Sequence, residues 1–291
     1  MLKGVDVSKY DGAIDWKKAK SSGMVDFAIL RAGYGKLASQ KDIRFEDYYK
    51  GAKAAGVPIG AYWYSYAKSV AEIQTEAKVF LSVIKGKQFE YPVYLDFEEK
   101  FQFALGKATC TAMAKAFLDI LEQAGYYAGM YCSSSYLNNY FTDEIKNRYT
   151  IWVAHYGVSK PSYSGHDIWQ YSSTGIVPGI EHNCDLNYCY KEDFPKVIKE
   201  AGLNGFTKGG TVEPKEEKTI EQLAQEVLEG KWGNGSERKI RLISAGYDYS
   251  AVQNAVNELV KKVEEPNTPE EIRHKIEVFI DGERKYSGTL D

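Results

Sequence analysis

The chain has 291 residues, 44% hydrophobic and 26% charged, which is room for one large domain plus a small one and ordinary for a globular protein. A formal net charge of -3 leaves no electrostatic basis for binding nucleic acid or a membrane surface, both of which attract basic proteins. The unusual count is aromatic, 23 Tyr beside 5 Trp, flat apolar faces with polar tips that suit sugar rings as well as a core.

The first residues, MLKGVDVSKYDG, contain no apolar run and no small-residue cleavage site, so synthesis as a cytoplasmic protein without a secretory signal is expected. No stretch approaches membrane-spanning length. From there short apolar strands alternate with amphipathic helices. Strands are predicted at Lys3–Val7, Phe27–Ala32, Ile59–Ser65, Tyr91–Phe97 and Tyr127–Cys132, with helices near Asp15–Ser22, Arg44–Ala55, Val70–Ile84, Ala108–Ala124 and Ser134–Asn147. Gly56 and Gly125 close two of these helices just before the next strand. Such alternation predicts an α/β fold of parallel strands with helices outside.

The rhythm then changes. Strand-like runs at Thr150–His155, Asp167–Tyr171 and Cys184–Cys189 are separated by about a dozen residues rich in Gly, Pro and Ser, too few for a full helical crossover. Five β/α units and three nearly bare strands predict an irregular eight-stranded (β/α)5β3 barrel like a TIM barrel. An open doubly wound sheet is the alternative, but no Gly-rich phosphate loop follows any strand. Cys110, Cys132, Cys184 and Cys189 show no CxxC spacing and are expected as reduced core residues. His155, His166, His182 and His274 form no metal-ligand spacing, so neither a metal nor a cofactor is expected.

After a last helix at Asp193–Ala201, the Gly-, Pro- and charge-rich LNGFTKGGTVEPKEEK reads as a linker. Thr219 and Gln222 have capping-box spacing and open a helix burying Leu223, Val227 and Leu228, which Gly230 ends. A second helix through Ile240 and Ile243, and a third opened by Ser250 and Gln253 and burying Val252, Val256 and Leu259, complete a small three-helix bundle. IEVFIDGERKYSG predicts a β-hairpin turning at Asp281-Gly282, which needs a packing partner such as another subunit. The expected divisions are 1–203 barrel, 204–218 linker, 219–263 helical module and 264–291 tail.

The chemistry concentrates in YPVYLDFEEK. Strand alternation puts Val93, Leu95 and Phe97 on the face toward the helices, and Tyr94, Asp96 and Glu98 on the barrel interior. Two carboxylates there, without Lys or Arg on that face, are costly as structure alone, and active sites of such barrels lie at the C-terminal ends of the strands. Asp6 ends the first strand and points into the same mouth, and Asp185 on the last strand closes the ring beside it. Crowded acids suit a cationic, oxocarbenium-like transition state, because mutual repulsion keeps at least one protonated as a general acid.

The segments GVDVSKYDGAIDW, FAILRAGYG, GAYWYSYA, VYLDFE, WVAHY, IWQYSS and CDLNY occur in the order found in glycoside hydrolase family 25 muramidases, and residues 1–195 resemble that family. The resemblance implies cleavage of the β-1,4 bond after N-acetylmuramic acid in peptidoglycan glycan strands. It implies Glu98 as acid, Asp96 as partner carboxylate, Asp6 and Asp185 as supporting acids, and Tyr62, Tyr64, Tyr131 and Trp152 along the groove. Trp63 departs from the pattern, where the family often has histidine. EVLEGKWGNGSERKIRLISAGYDYSAVQNAVNEL resembles the cell-wall-binding repeat of phage lysins. That implies a muropeptide ligand and a binding role for Arg238, with Trp232 and Tyr247 in the core. One repeat gains avidity if the chain forms a homo-oligomer through its C-terminal region. A phage-type endolysin made in the cytoplasm and released to the wall fits these features, with a bacterial autolysin exported by a separate route as the alternative. A chitinase-like glycosidase would carry a longer DxxDxDxE strand, and a non-catalytic wall-binding protein would have no reason to keep all four acids.

Overall fold

The computed structural model describes residues 1–207, 218–233, 238, 242, 247–264, 275–280 and 283–289. Contacts divide the chain into two compact units, Met1–Lys215 and Glu216–Asp291. The first is a closed barrel whose strands follow chain order: β1 Leu2–Val7, β2 Phe27–Tyr34, β3 Ile59–Tyr64, β4 Val93–Asp96, β5 Ala128–Ser133, β6 Thr150–Ala154, β7 Ile168–Gly175 and β8 Cys184–Cys189. Its helices are α1 Trp16–Ser21, α2 Phe45–Ala54, α3 Val70–Ile84, α4 Lys100–Phe103, α5 Lys107–Gln123, α6 Ser134–Tyr140, α7 Asp143–Arg148 and α8 Phe194–Ala201. The expected α/β barrel with three bare strands is present.

One correction concerns direction. β1 to β7 run parallel, but β8 is antiparallel to both β7 and β1, so the barrel is mixed rather than all parallel. The cause is the short connection between β7 and β8, which turns the chain back without a helix to carry it across the barrel. A second correction concerns the helix expected at Ser134–Asn147. Phe141 and Thr142 adopt extended backbone and split it into α6 and α7. Phe141 is buried edge-on against Phe97, with ring centroids 5.5 Å apart. Thr142 then starts a new helix whose first turn carries Asp143 and Glu144, where the helix dipole favours acids.

Two apolar layers sandwich the strands. Outward-facing Val93, Leu95 and Phe97 pack with α3 and α5 through Phe80, Met113 and Phe117. Inward-facing Phe27, Ile29, Tyr62, Tyr91, Tyr94, Tyr131 and Trp152 fill the barrel. At its base Phe27 stacks on Tyr91 with centroids 4.5 Å apart, and Phe194 of α8 closes over Tyr91 at 5.7 Å. Gly4 lies beside Phe27 because a Cβ there would stand 2.4 Å from the ring. All four cysteines are free and buried.

The barrel's packing runs past residue 203. Asn204 is fully buried in left-handed backbone, φ 54°. Its amide donates to the carbonyls of Phe89 and Tyr91 at 3.1 and 2.8 Å and its oxygen accepts from the Tyr127 N–H at 2.7 Å. Phe206 joins the inner core beside it, so the residues expected as the start of a linker plug the base instead.

In the second unit, α9 Ile220–Leu228 and α10 Tyr249–Glu264 pack around Leu223, Val227, Leu242, Val252 and Val256. Thr219 and Gln222 form the expected reciprocal cap, at 3.3 and 2.8 Å. At α10 the cap is Asp248, which accepts from the N–H groups of Ser250 and Ala251, rather than Ser250. The helix expected through Ile240 and Ile243 lies outside the described residues. β9 Lys275–Ile280 and β10 Glu283–Thr289 pair antiparallel, while the turn expected at Asp281-Gly282 lies outside the described residues.

Candidate active site

The C-terminal rim of the parallel strands collects the acids. Register places Asp6 of β1 directly beside Asp185 of β8. It also aligns Tyr64 of β3 with Asp96 of β4, Asp96 with Tyr131 of β5, and Tyr131 with Trp152 of β6. Asp185 belongs to this rim only because β8 runs backwards, which brings the start of that strand to the level where β1 ends. Glu98 continues the β4 alternation two residues past the strand. Its charge is felt by Asp96, Asp185, Tyr64, Tyr131 and Tyr156, so it faces the mouth rather than the helical shell. The structure thus brings together all four acids singled out from the sequence.

Their environments raise the titration of all four. Burial drives Asp96 well above the usual carboxylate range, helped by repulsion from Glu98 and Asp6 and opposed by Arg31. Burial also raises Glu98, against the nearby Tyr64 hydroxyl, and Glu99 adds to the rise. Asp6 is pushed well up by burial and then by Asp185. Asp185 is pushed up to about 6 by burial, with Asp6 steadying its ionised form. Four carboxyls this close cannot all ionise at neutral pH. Asp96 Oδ1 is buried with no hydrogen-bond partner among the described residues, an orphan that points to a group supplied from outside.

Asp6 is held by residues that the sequence reading did not single out. Gln170 Nε2 and Asn187 Nδ2 both donate to Asp6 Oδ2, at 2.9 and 2.7 Å. Each amide is oriented from behind. Trp152 Nε1–H, which can only donate, gives its proton to Asn187 Oδ1 at 2.8 Å. The hydroxyls of Tyr131, at 2.8 Å, and Tyr156 donate to Gln170 Oε1. Asn187 lies two residues from Asp185 on the same face of β8, a signal that alternation could have supplied; nothing local marks Gln170. Arg31, paired with Asp42 at 2.7 Å, has a charge that acts on Asp96, and Tyr10 lies 5.0 Å from its guanidinium.

The aromatic residues expected along the groove occupy different depths. Tyr62, Tyr131 and Trp152 are buried at 9%, 7% and 1% exposure, and form the floor beneath the acids, not open walls. Tyr64 is partly exposed and donates to Glu99 Oε1 at 2.9 Å, which brings Glu99 to the edge of the site although it lay outside the reading from sequence. Tyr10, Tyr66 and Tyr156 are exposed, Tyr66 with its ring 4.9 Å from Tyr64 and Tyr156 bonded to Gln170. Trp63 points away from the mouth into the helix layer and donates to the Gly35 carbonyl at 3.0 Å, so its departure from the expected histidine does not alter the groove. In the second unit Arg238 donates to the Gly233 carbonyl at 3.1 Å and to Gln253 Oε1 at 3.2 Å. Trp232 and Tyr247 pack edge-to-face there, 5.9 Å apart.

Comparison with known proteins shows the family. The sequence pattern of the family described as Glycosyl hydrolases family 25 matches residues 5–180, and that of the CW_7 repeat matches residues 221–260. The autolytic lysozyme of Clostridium acetobutylicum is 29% identical over 187 residues, 64% of this chain and 55% of its own length. The lysozyme of Streptococcus phage Cp-7 is 31% identical over 214 residues, 69% of this chain and 56% of its own. The chain therefore spans little more than half of these relatives. Among solved structures, the bacterial lysozyme of Streptomyces coelicolor aligns with a TM-score of 0.56 at 29% identity, over 65% of this chain and 92% of that one.

Proposed function

Because the chain belongs to glycosyl hydrolase family 25, we propose that it is a muramidase that hydrolyses the β-1,4 bond between N-acetylmuramic acid and N-acetylglucosamine in peptidoglycan. Glu98, whose proton is favoured by burial and by Glu99, gives it to the leaving oxygen as the glycosidic bond breaks, and a water molecule adds at the anomeric carbon to complete the hydrolysis. Asp96 faces the developing positive charge, and its orphan Oδ1 accepts the acetamido N–H of the bound sugar. Asp6 and Asp185, braced by Gln170 and Asn187, add negative potential below the ring. The observation that carries this reading is the unpartnered Asp96 oxygen beside a raised Glu98 at the open rim of the barrel.

Tyr64 and the exposed tyrosines form the walls of the groove, while Tyr62, Tyr131 and Trp152 support its floor. Residues 219–263 hold the wall through the CW_7 repeat, with Arg238 among the contacts, and association of copies through the 264–291 tail strengthens a single weak site. The protein acts after release to the cell wall. The test is to digest purified peptidoglycan, reduce the products and identify the reduced sugar. Muramitol is expected. Glucosaminitol, or binding without cleavage, would sink the proposal.

A further inference from the structure

The helix α3 buries a carboxyl that the proposed reaction does not use. Glu76 is fully buried, as are Ser65, Ala67 and Gln102 around it. Glu76 Oε1 accepts the Tyr66 N–H at 3.0 Å, and its Oε2 has no hydrogen-bond partner among the described residues. At Tyr66 the chain has left β3 and no strand offers an acceptor, so without Glu76 this N–H would lose its partner at the edge of the core.

From Glu76 the contacts run forward to the candidate acid. The Ser65 hydroxyl accepts from Gln102 Nε2 at 3.1 Å and from the Ala67 N–H at 3.3 Å. The same hydroxyl lies near the Glu76 carboxyl and favours its ionised form against burial. Gln102 also donates to the Ala67 carbonyl at 3.0 Å and accepts the Glu99 N–H at 3.2 Å. The Ser65 N–H donates to the Asp96 carbonyl at 3.0 Å, and the Tyr64 hydroxyl holds the Glu99 carboxylate at 2.9 Å. Both neighbours of the Phe97–Glu98 dipeptide are thereby tied to the turn after β3, and Glu76 stands behind that turn.

We infer that Glu76 is a positioning residue for Glu98, holding the turn at Ser65–Ala67 in the shape that clamps Asp96 and Glu99 on either side of the proposed acid. Burial pushes Glu76 up to about 7, so in acid conditions below that value it serves mainly as a neutral hydrogen-bonding group. The inference rests on the muramidase reading. Its logic is geometric: a proton donor displaced by about 1 Å loses on the order of a hundredfold in rate, and a one-turn connection transmits part of such a shift.

The experiment follows turnover of soluble, uncross-linked peptidoglycan oligosaccharides by wild type, Glu76→Leu and Glu76→Gln, with folding checked by circular dichroism and melting. Glu76→Leu is expected to lose about tenfold in kcat with KM within about twofold, since the clamp orients the acid rather than binding sugar. Glu76→Gln keeps a carbonyl for the Tyr66 N–H and should recover to within about threefold of wild type. Folded Glu76→Leu with wild-type kcat, a loss confined to KM, or a Gln variant as slow as the Leu variant would each overturn the assignment. If Glu76→Leu does not fold, Ser65→Ala decides: a fall of about threefold or more in kcat supports the clamp, and unchanged kcat overturns it. An inactive wild type would overturn the muramidase reading and this inference together, whereas an active wild type beside an unaffected variant overturns this inference alone.

Discussion

The two ends of the barrel are built on opposite principles. At the base every feature favours stability: Phe27 stacks on Tyr91, Phe194 covers them, and the Asn204 side chain satisfies two carbonyls and an N–H. At the mouth Asp6 and Asp96 are buried, Asp185 and Glu98 crowd them, and one oxygen of Asp96 has no hydrogen-bond partner among the described residues. The same strands support both ends, so the aromatic base offsets the cost of holding acids out of water at the rim. A fold that stores unfavourable charge at one end must be over-built at the other.

The contrast is tested most strongly at Glu98. Glu98→Gln should reduce kcat by about a thousandfold, within the range for a general acid, while the melting temperature holds or rises. Wild-type turnover by this variant would remove the residue from the proposed role. At the base the expectation is reversed. Phe194→Ala should destabilise by about 3–5 kcal/mol in urea titrations, yet the folded fraction should keep wild-type kcat. Asn204→Ala should cost about 2–3 kcal/mol, because it leaves buried backbone groups without partners. A kcat loss in either variant under fully folded conditions would mean that the ends are coupled and the division is wrong.

Titration sharpens the same difference. The unfolded chain releases the Asp185 proton near about pH 4, whereas the folded chain keeps it up to about 6. The folded state therefore binds more protons across that window, and this group's contribution to stability falls as pH rises through it. Melting temperatures of Asp185→Asn and wild type should diverge in favour of the variant between about pH 4 and 6, then stay parallel. A constant difference would show that Asp185 is not raised. Activity should fall as pH rises through the elevated Glu98 titration, because the proposed acid then loses its proton. The smallest effect is expected at Trp152→Phe, which keeps the floor but removes the N–H that orients Asn187 toward Asp6. A loss of about fivefold to tenfold in kcat, with little change in melting temperature, is expected from initial rates.

Much of the barrel was legible because its signals are local. Period-two alternation in VYLDFE separates the outward Val93 and Leu95 from inward Asp96 and Glu98 without reference to any other strand. Alternating strands and helices announce the five β/α units in the same way. Illegible were the features that depend on distant partners. Nothing near Gln170 shows that it will meet Asp6, 164 residues away, and nothing near Phe141 shows that Phe97 will receive its ring and interrupt a helix. Asn204 sits in a Gly-flanked segment that reads as a linker, and only the base of the barrel explains its burial.

The amino-acid order alone determined which faces of the strands carry acids and where the strands and most of the helices lie, because those properties repeat every two or 3.6 residues along one segment. The closed tertiary structure decided that β8 runs backwards, that Asp185 therefore stands level with Asp6, and that two amides brace the pair. Strand direction and long-range hydrogen bonds are set by which segments pack together once the barrel closes, and no local period records that outcome.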